Sequence, residues 1–127
     1  MKISELSHRT GVSADTIRYY VKQALLTHSR QNGYWEFDDE AVMLLTHIRL
    51  LRSLNFSIKD IQHVFATSDI IEGDRINHEL VSTYISFFHG KLDELEKQRL
   101  SLDQAELHLR KILGKLDYLQ QLETFQG

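Results

Sequence analysis

Cysteine and proline are both absent from this 127-residue chain, and only six glycines are present. Without cysteine there is no disulfide, no thiolate metal site and no sulfur nucleophile, and the redox compartment is left open. Without proline, nothing breaks a helix in the way that residue does, so helical periodicity is free to run long. Long apolar runs are missing as well: the longest are a few residues, and MKISELSHRT carries no apolar segment behind its lysine. That pattern predicts neither a secretory signal nor a membrane span, and the expected location is cytoplasmic.

Positive charge is also scarce. Lys and Arg number 15 against 18 Asp and Glu, for a formal net charge of −3, which taken alone argues weakly against nucleic acid. The distribution matters more than the sum. Within residues 1–35, Lys2, Arg9, Arg18, Lys22 and Arg30 stand against Glu5 and Asp15, whereas residues 67–127 hold seven basic and eleven acidic side chains. A head able to approach an anion is followed by a tail that is not. With 42% hydrophobic residues, the length fits one domain, or one small domain and a long helix.

Helical spacing begins at once. Ile3 and Leu6 share a face that ends at Gly11, which can take the left-handed conformation that closes a helix. Val12 reads as a buried turn residue and Ser13 as the N-cap of a second helix starting at Ala14. Helix, glycine turn, helix is the outline of a helix-turn-helix. On the second helix Ile17, Tyr20, Val21 and Ala24 recur at i, i+3, i+4 and i+7, which predicts an inward stripe. Asp15, Thr16, Arg18, Tyr19 and Lys22 are left facing outward. The stripe separates two adjacent tyrosines, sending Tyr20 to the core and leaving Tyr19 beside Arg18 on the open face. Thr16, Arg18, Tyr19 and Lys22 carry the chemistry of a helix in a major groove: arginine reads base edges, and the others hold phosphates.

The period then changes. Residues 27–37, THSRQNGYWEF, form two short polar-aromatic runs around Asn32-Gly33, the pair that supplies both positive φ angles of a type I′ hairpin. A hairpin after a helix-turn-helix is a wing, and Arg30, Tyr34 and Trp35 are its candidates for a phosphate backbone. Tyr34, Trp35 and Phe37 are equally suited to packing the hairpin on the helices. Strand alternation predicts Trp35 on the face opposite Tyr34 and Phe37. Asp38 then caps a helix carrying Ala41, Leu44, Leu45, Ile48, Leu51 and Arg52, with Asn55 as its stop. Ser57, with Asp60 three residues on, caps another with Ile58, Ile61, Val64 and Phe65. Residues 1–66 thus read as a compact winged head.

The run MKISELSHRTGVSADTIRYYVKQALL, the NGY hairpin and IRLLRSLNFSIKDIQHVF together resemble the MerR family of bacterial transcription regulators. The resemblance implies a dimer bound to promoter DNA whose −35 and −10 elements are too far apart. Bending and untwisting of that DNA then lets RNA polymerase engage both, so the polymerase is reached indirectly, through DNA, and deformability contributes to specificity. It also implies DNA contacts at Thr16, Arg18 and Tyr19 in the recognition helix and Tyr34 in the wing. The chain departs from the family pattern at three places. An acidic residue usually follows the tyrosine pair, where Val21 stands; a glycine usually precedes the two leucines, where Ala24 stands; and an arginine commonly follows NGY, where Trp35 stands. The last exchange either removes one phosphate contact or substitutes stacking on sugar and phosphate.

Downstream, Val81, Ile85, Phe88, Leu92, Leu95, Leu102, Leu109, Leu113 and Leu116 keep three- and four-residue steps, with Arg99 and Glu106 occupying the same stripe. A seam that long reads as a homodimer coiled coil, antiparallel in the family resembled, with Arg99 and Glu106 near its centre setting register. Folding back on the head is the competing reading. Gly90 and Gly114 each cost about 1 kcal/mol in a helix and mark places for a bend or stop. The expected fold is mainly α, with a winged helix-turn-helix over 1–66, a linker over 67–74 and a dimerisation helix with a short C-terminal segment over 75–127. ATSDIIEGDR, at residues 66–75, reads as that loop or as a short helix, and its EGDR is similar to family members that sense small electrophiles. The span after the coil is too short for an appended sensor domain, which places any effector pocket at the dimer interface.

Catalytic and metal-binding patterns do not emerge. The seven histidines show no i, i+4 pair, no phosphate loop, nucleophile elbow or HExxH occurs, and Asp38-Asp39-Glu40 suits a helix N-terminus. The sequence therefore reads as a regulator, not an enzyme, with no cofactor, no membrane partner and an effector left open. The alternatives are a DNA-architectural or excisionase-like protein using the same winged head, and an interaction module whose coil binds another helix.

Overall fold

The computed structural model describes residues 1–72 and 77–126. It is mainly helical, with one two-stranded hairpin, and divides into two units, Met1–Val81 and Ser82–Gly127. The elements are α1 (Ile3–Thr10), α2 (Ala14–Lys22), β1 (Ser29–Gln31), β2 (Tyr34–Glu36), α3 (Asp39–Ser53), α4 (Ile58–Glu72) and α5 (His78–Gln126).

Local chemistry sets most of these boundaries. Gly11 closes α1 at φ 73°, its N–H donating to Ser7 O at 2.9 Å. Ser13 Oγ accepts the Thr16 N–H at the start of α2, and Asp38 Oδ1 accepts the Ala41 N–H at the start of α3. Ser57 and Asp60 form a reciprocal capping box, with Asp60 N–H to Ser57 Oγ at 3.0 Å and Ser57 N–H to Asp60 Oδ2 at 2.9 Å. Asn55, at φ 67°, ends α3 in a Schellman motif that brings the Phe56 N–H to Leu51 O at 3.0 Å.

Ala24 is where the inward stripe fails. Helix α2 stops at Lys22, and Ala24 is exposed at φ 59°. The Leu25 N–H donates to Tyr20 O at 3.0 Å and the Ala24 N–H to Val21 O at 3.1 Å, so Ala24 occupies the left-handed position of a second Schellman turn. Glycine fits that position without strain, which accounts for its presence there in the family pattern.

The core of the first unit is built on Leu6, Ile17, Leu45, Ile48 and Ile61, all essentially inaccessible, with Leu25, Leu26 and Phe37 beside them. Each such side chain contributes roughly 1.5–3 kcal/mol of burial. Polar ties fix the helices at their ends: Gln62 donates to Gln23 O at 2.9 Å, Arg49 to Thr10 O, and Arg9 to Asp39 at 3.3 Å. The wing is anchored where the Phe37 N–H donates to Met1 O at 2.7 Å and the N-terminal ammonium to Glu36 at 2.9 Å.

Downstream lie two stretches that the sequence left open. Helix α4 runs to Glu72, through most of the stretch expected to be a linker; residues 73–76, with the EGDR expectation, lie outside the described residues. Helix α5 passes through Gly90 and Gly114 without a stop, for 49 residues or about 70 Å. Along it Ile85, Leu92, Leu102, Leu109, Leu113 and Leu116 are 53–70% exposed in the single chain, while Phe88 and Leu95 are half-buried. Arg99 pairs with Glu96 at 3.0 Å and Glu106 with Arg110 at 2.8 Å, each within one helical turn.

Candidate nucleic-acid interface

Helix α2 opens one face because the other is committed to the core. Ile17 and Tyr20 are buried, and Arg18, Tyr19 and Lys22 are exposed around them. The two tyrosines divide as their spacing predicts: Tyr19 is 47% exposed against 8% for Tyr20, with ring centroids 5.9 Å apart. Thr16 is half-buried, and its hydroxyl accepts from Ser13 Oγ at 2.8 Å, inside the capping turn. Arg18 Nη1 donates to Asp15 Oδ1 at 2.8 Å.

The wing turns as Asn-Gly dictates, with φ of 54° at Asn32 and 81° at Gly33. Its register pairs Ser29 with Glu36, Arg30 with Trp35 and Gln31 with Tyr34. Arg30 and Tyr34 are exposed, and Lys2 Nζ sits 4.5 Å above the Tyr34 ring. Trp35 is half-buried and stacks on His28 at 4.4 Å and 19°. It also meets the edge of buried Phe37 at 6.4 Å and 79°. The expected grouping of Phe37 with Tyr34 is therefore corrected: β2 ends at Glu36, so period-two alternation does not extend to Phe37, which joins Trp35 instead.

Arg18, Tyr19, Lys22 and Trp35, with Asp15 and Val21, line one open cleft of about 420 Å³. Thr16, Arg30 and Tyr34 are not among its lining residues. The cleft sets two cations, one of them paired with the Asp15 carboxylate, against two aromatic walls. Its chemistry suits a nucleic-acid groove, where a paired arginine meets a base edge and a free lysine and aromatic rings meet phosphate and sugar. Three further contributors were given no part in the site by the sequence reading, although it placed Asp15 on the outward face. Asp15 was legible as an opposite charge three residues before Arg18; His28 under Trp35 and Lys2 over Tyr34 have no sequence signal, because they meet only through tertiary structure.

Among the described residues, no group of three or more His, Asp or Glu side chains could hold a metal ion. No helix among them is long and apolar enough to cross a membrane.

Known proteins are similar to this chain in sequence and fold. HmrR, an HTH-type transcriptional regulator of Rhizobium leguminosarum bv. viciae, is 29% identical over 107 residues, covering 81% of this chain and 81% of its own. The mercuric resistance operon regulatory protein of Bacillus cereus is 26% identical over 109 residues, covering 83% of each chain. A solved structure of HiNmlR, a MerR family regulator lacking the sensor domain and bound to promoter DNA, matches with a TM-score of 0.60. The identity is 26%, over 82% of this chain and 76% of that one. A family model for the MerR HTH family regulatory protein matches residues 1–68, more than half of the sequence. This chain belongs to the MerR HTH family of regulatory proteins.

Proposed function

We propose that this protein is a dimeric, cytoplasmic transcription regulator that binds double-stranded promoter DNA through α2 and the wing. The observation carrying the reading is the cleft in which exposed Arg18, Tyr19 and Lys22 meet half-buried Trp35 on a chain of net negative charge. Helix α2 enters the major groove, Arg18 reads a base edge, and Tyr19, Lys22 and Thr16 hold adjacent phosphates. The wing carries Arg30, Tyr34 and Trp35 along the neighbouring backbone. In this reading Trp35 stacks on sugar where the family pattern has an arginine.

The exposed seam of α5 supports dimerisation. Six large aliphatic side chains more than half exposed along one stripe are stabilised by a second copy of the same stripe, running antiparallel. Phe88, Leu92, Leu95, Leu102, Leu109 and Leu113 form that interface, with Arg99 and Glu106 at its middle. Two heads on a two-fold then grip a promoter spacer, bend and untwist it, and act on RNA polymerase through the DNA.

Fluorescence anisotropy with a duplex carrying the promoter of the gene's own neighbourhood tests the reading. Tight binding that falls steeply with salt is expected, with Arg18→Ala abolishing preference for that duplex over an unrelated one while the dimer stays intact. Sequence-independent binding that Arg18→Ala leaves unchanged overturns it. Binding confined to recombination sites, with transcription unaffected, favours an architectural role instead.

A further inference from the structure

We propose that Asp15 is a positioning residue for base recognition, holding Arg18 as a guanine reader rather than a generic phosphate contact. The proposal rests on the reading of α2 as the groove-facing helix and names what that helix selects.

The geometry is specific. Arg18 Nη1 lies 2.8 Å from Asp15 Oδ1, one turn earlier on α2, and both residues line the same cleft with Trp35. A guanidinium has five N–H donors in a planar fork. One is given to Asp15, and four remain, enough for a paired contact with the O6 and N7 of guanine, the commonest bidentate arginine contact in a major groove. A free arginine beside DNA has a competing choice, since phosphates outnumber guanines and attract it from any direction. The Asp15 carboxylate opposes that choice in two ways: it ties one end of the fork through Nη1, and its charge repels phosphate.

In water the pair itself is worth little, because Asp15 is 96% and Arg18 53% exposed. Its value lies in the complex, where the groove excludes water and an oriented donor set discriminates between bases. Asp15 has no packing role to lose at that exposure; Asp15→Asn removes only a first-turn charge from α2 and is expected to leave the head folded.

Selection of bound duplexes from a randomised pool, run with the full-length chain, tests this. The wild type is expected to enrich guanine at one position of each half-site. Asp15→Asn is expected to keep binding DNA but to lose about tenfold in preference for that guanine. Its affinity for unrelated duplex should rise, with a steeper salt dependence as Arg18 turns to phosphate. In an Arg18→Ala background, Asp15→Asn should change nothing further at that position. An Asp15→Asn pool identical to the wild-type pool overturns the proposal while leaving the reading of α2 intact. A wild-type pool with no enrichment, or one unchanged by Arg18→Ala, overturns the reading of α2 and the proposal with it.

Discussion

Ala24 holds a left-handed backbone at φ 59° in the turn after α2, a conformation that costs an L-residue roughly 1 kcal/mol. Ala24→Gly is therefore expected to stabilise the head by about 1 kcal/mol, raising its melting temperature by several degrees. A calorimetric scan that finds Ala24→Gly neutral or destabilising contradicts the assignment. Trp35 is the single tryptophan, so its fluorescence reports on one site. Trp35→Ala removes both the stack on His28 and the edge contact with Phe37, and is expected to weaken DNA binding about tenfold with little change in base preference. A Trp35→Ala variant that binds normally assigns the ring to packing alone. These residues show where the sequence is mute. The Ile17, Tyr20, Val21 spacing continues numerically through Ala24, and nothing in a periodicity marks the residue at which the backbone leaves the helix.

At the scale of elements, the legible features were those written in local chemistry. Gly11, Ser13, Asp38, Asn55 and Ser57 each act within a turn of their own position, and reading them together with Asn32-Gly33 located α1 to α4 and the wing between. The far end of α4 was not legible. Thr67 and Ser68 resemble a linker, yet each costs only tenths of a kcal/mol in a helix, and the Thr67 hydroxyl donates to His63 O at 2.9 Å instead of breaking the helix. Gly90 and Gly114 are overridden in the same way within α5. If the α5 seam is the dimer interface, Leu109→Asp places a charge among apolar side chains and is expected to convert dimer to monomer in sedimentation at micromolar concentration. A variant that still sediments as a dimer contradicts that seam. Replacing Arg99 and Glu106 together by leucine is expected to raise dimer stability and blur its register, since polar residues in a seam exchange stability for orientation.

For the whole molecule, charge distribution outweighs net charge. Lys2, Lys22 and Arg30 are all exposed on the head, and in the proposed dimer two heads bring six such cations to the phosphates of one duplex, Arg18 being engaged with a base. If each of the six neutralises one phosphate, the logarithm of the binding constant falls against that of salt with a slope of about −5. A slope near zero contradicts groove binding by this face. The central claim is that two heads grip one spacer and untwist it, which hydroxyl-radical footprinting on promoters of graded spacer length tests most directly. A footprint symmetric about the spacer centre is expected, with distortion at that centre and transcription activated only where the spacer is overlong, all lost in Arg18→Ala. A footprint indifferent to spacer length, with transcription unchanged by the protein, contradicts it.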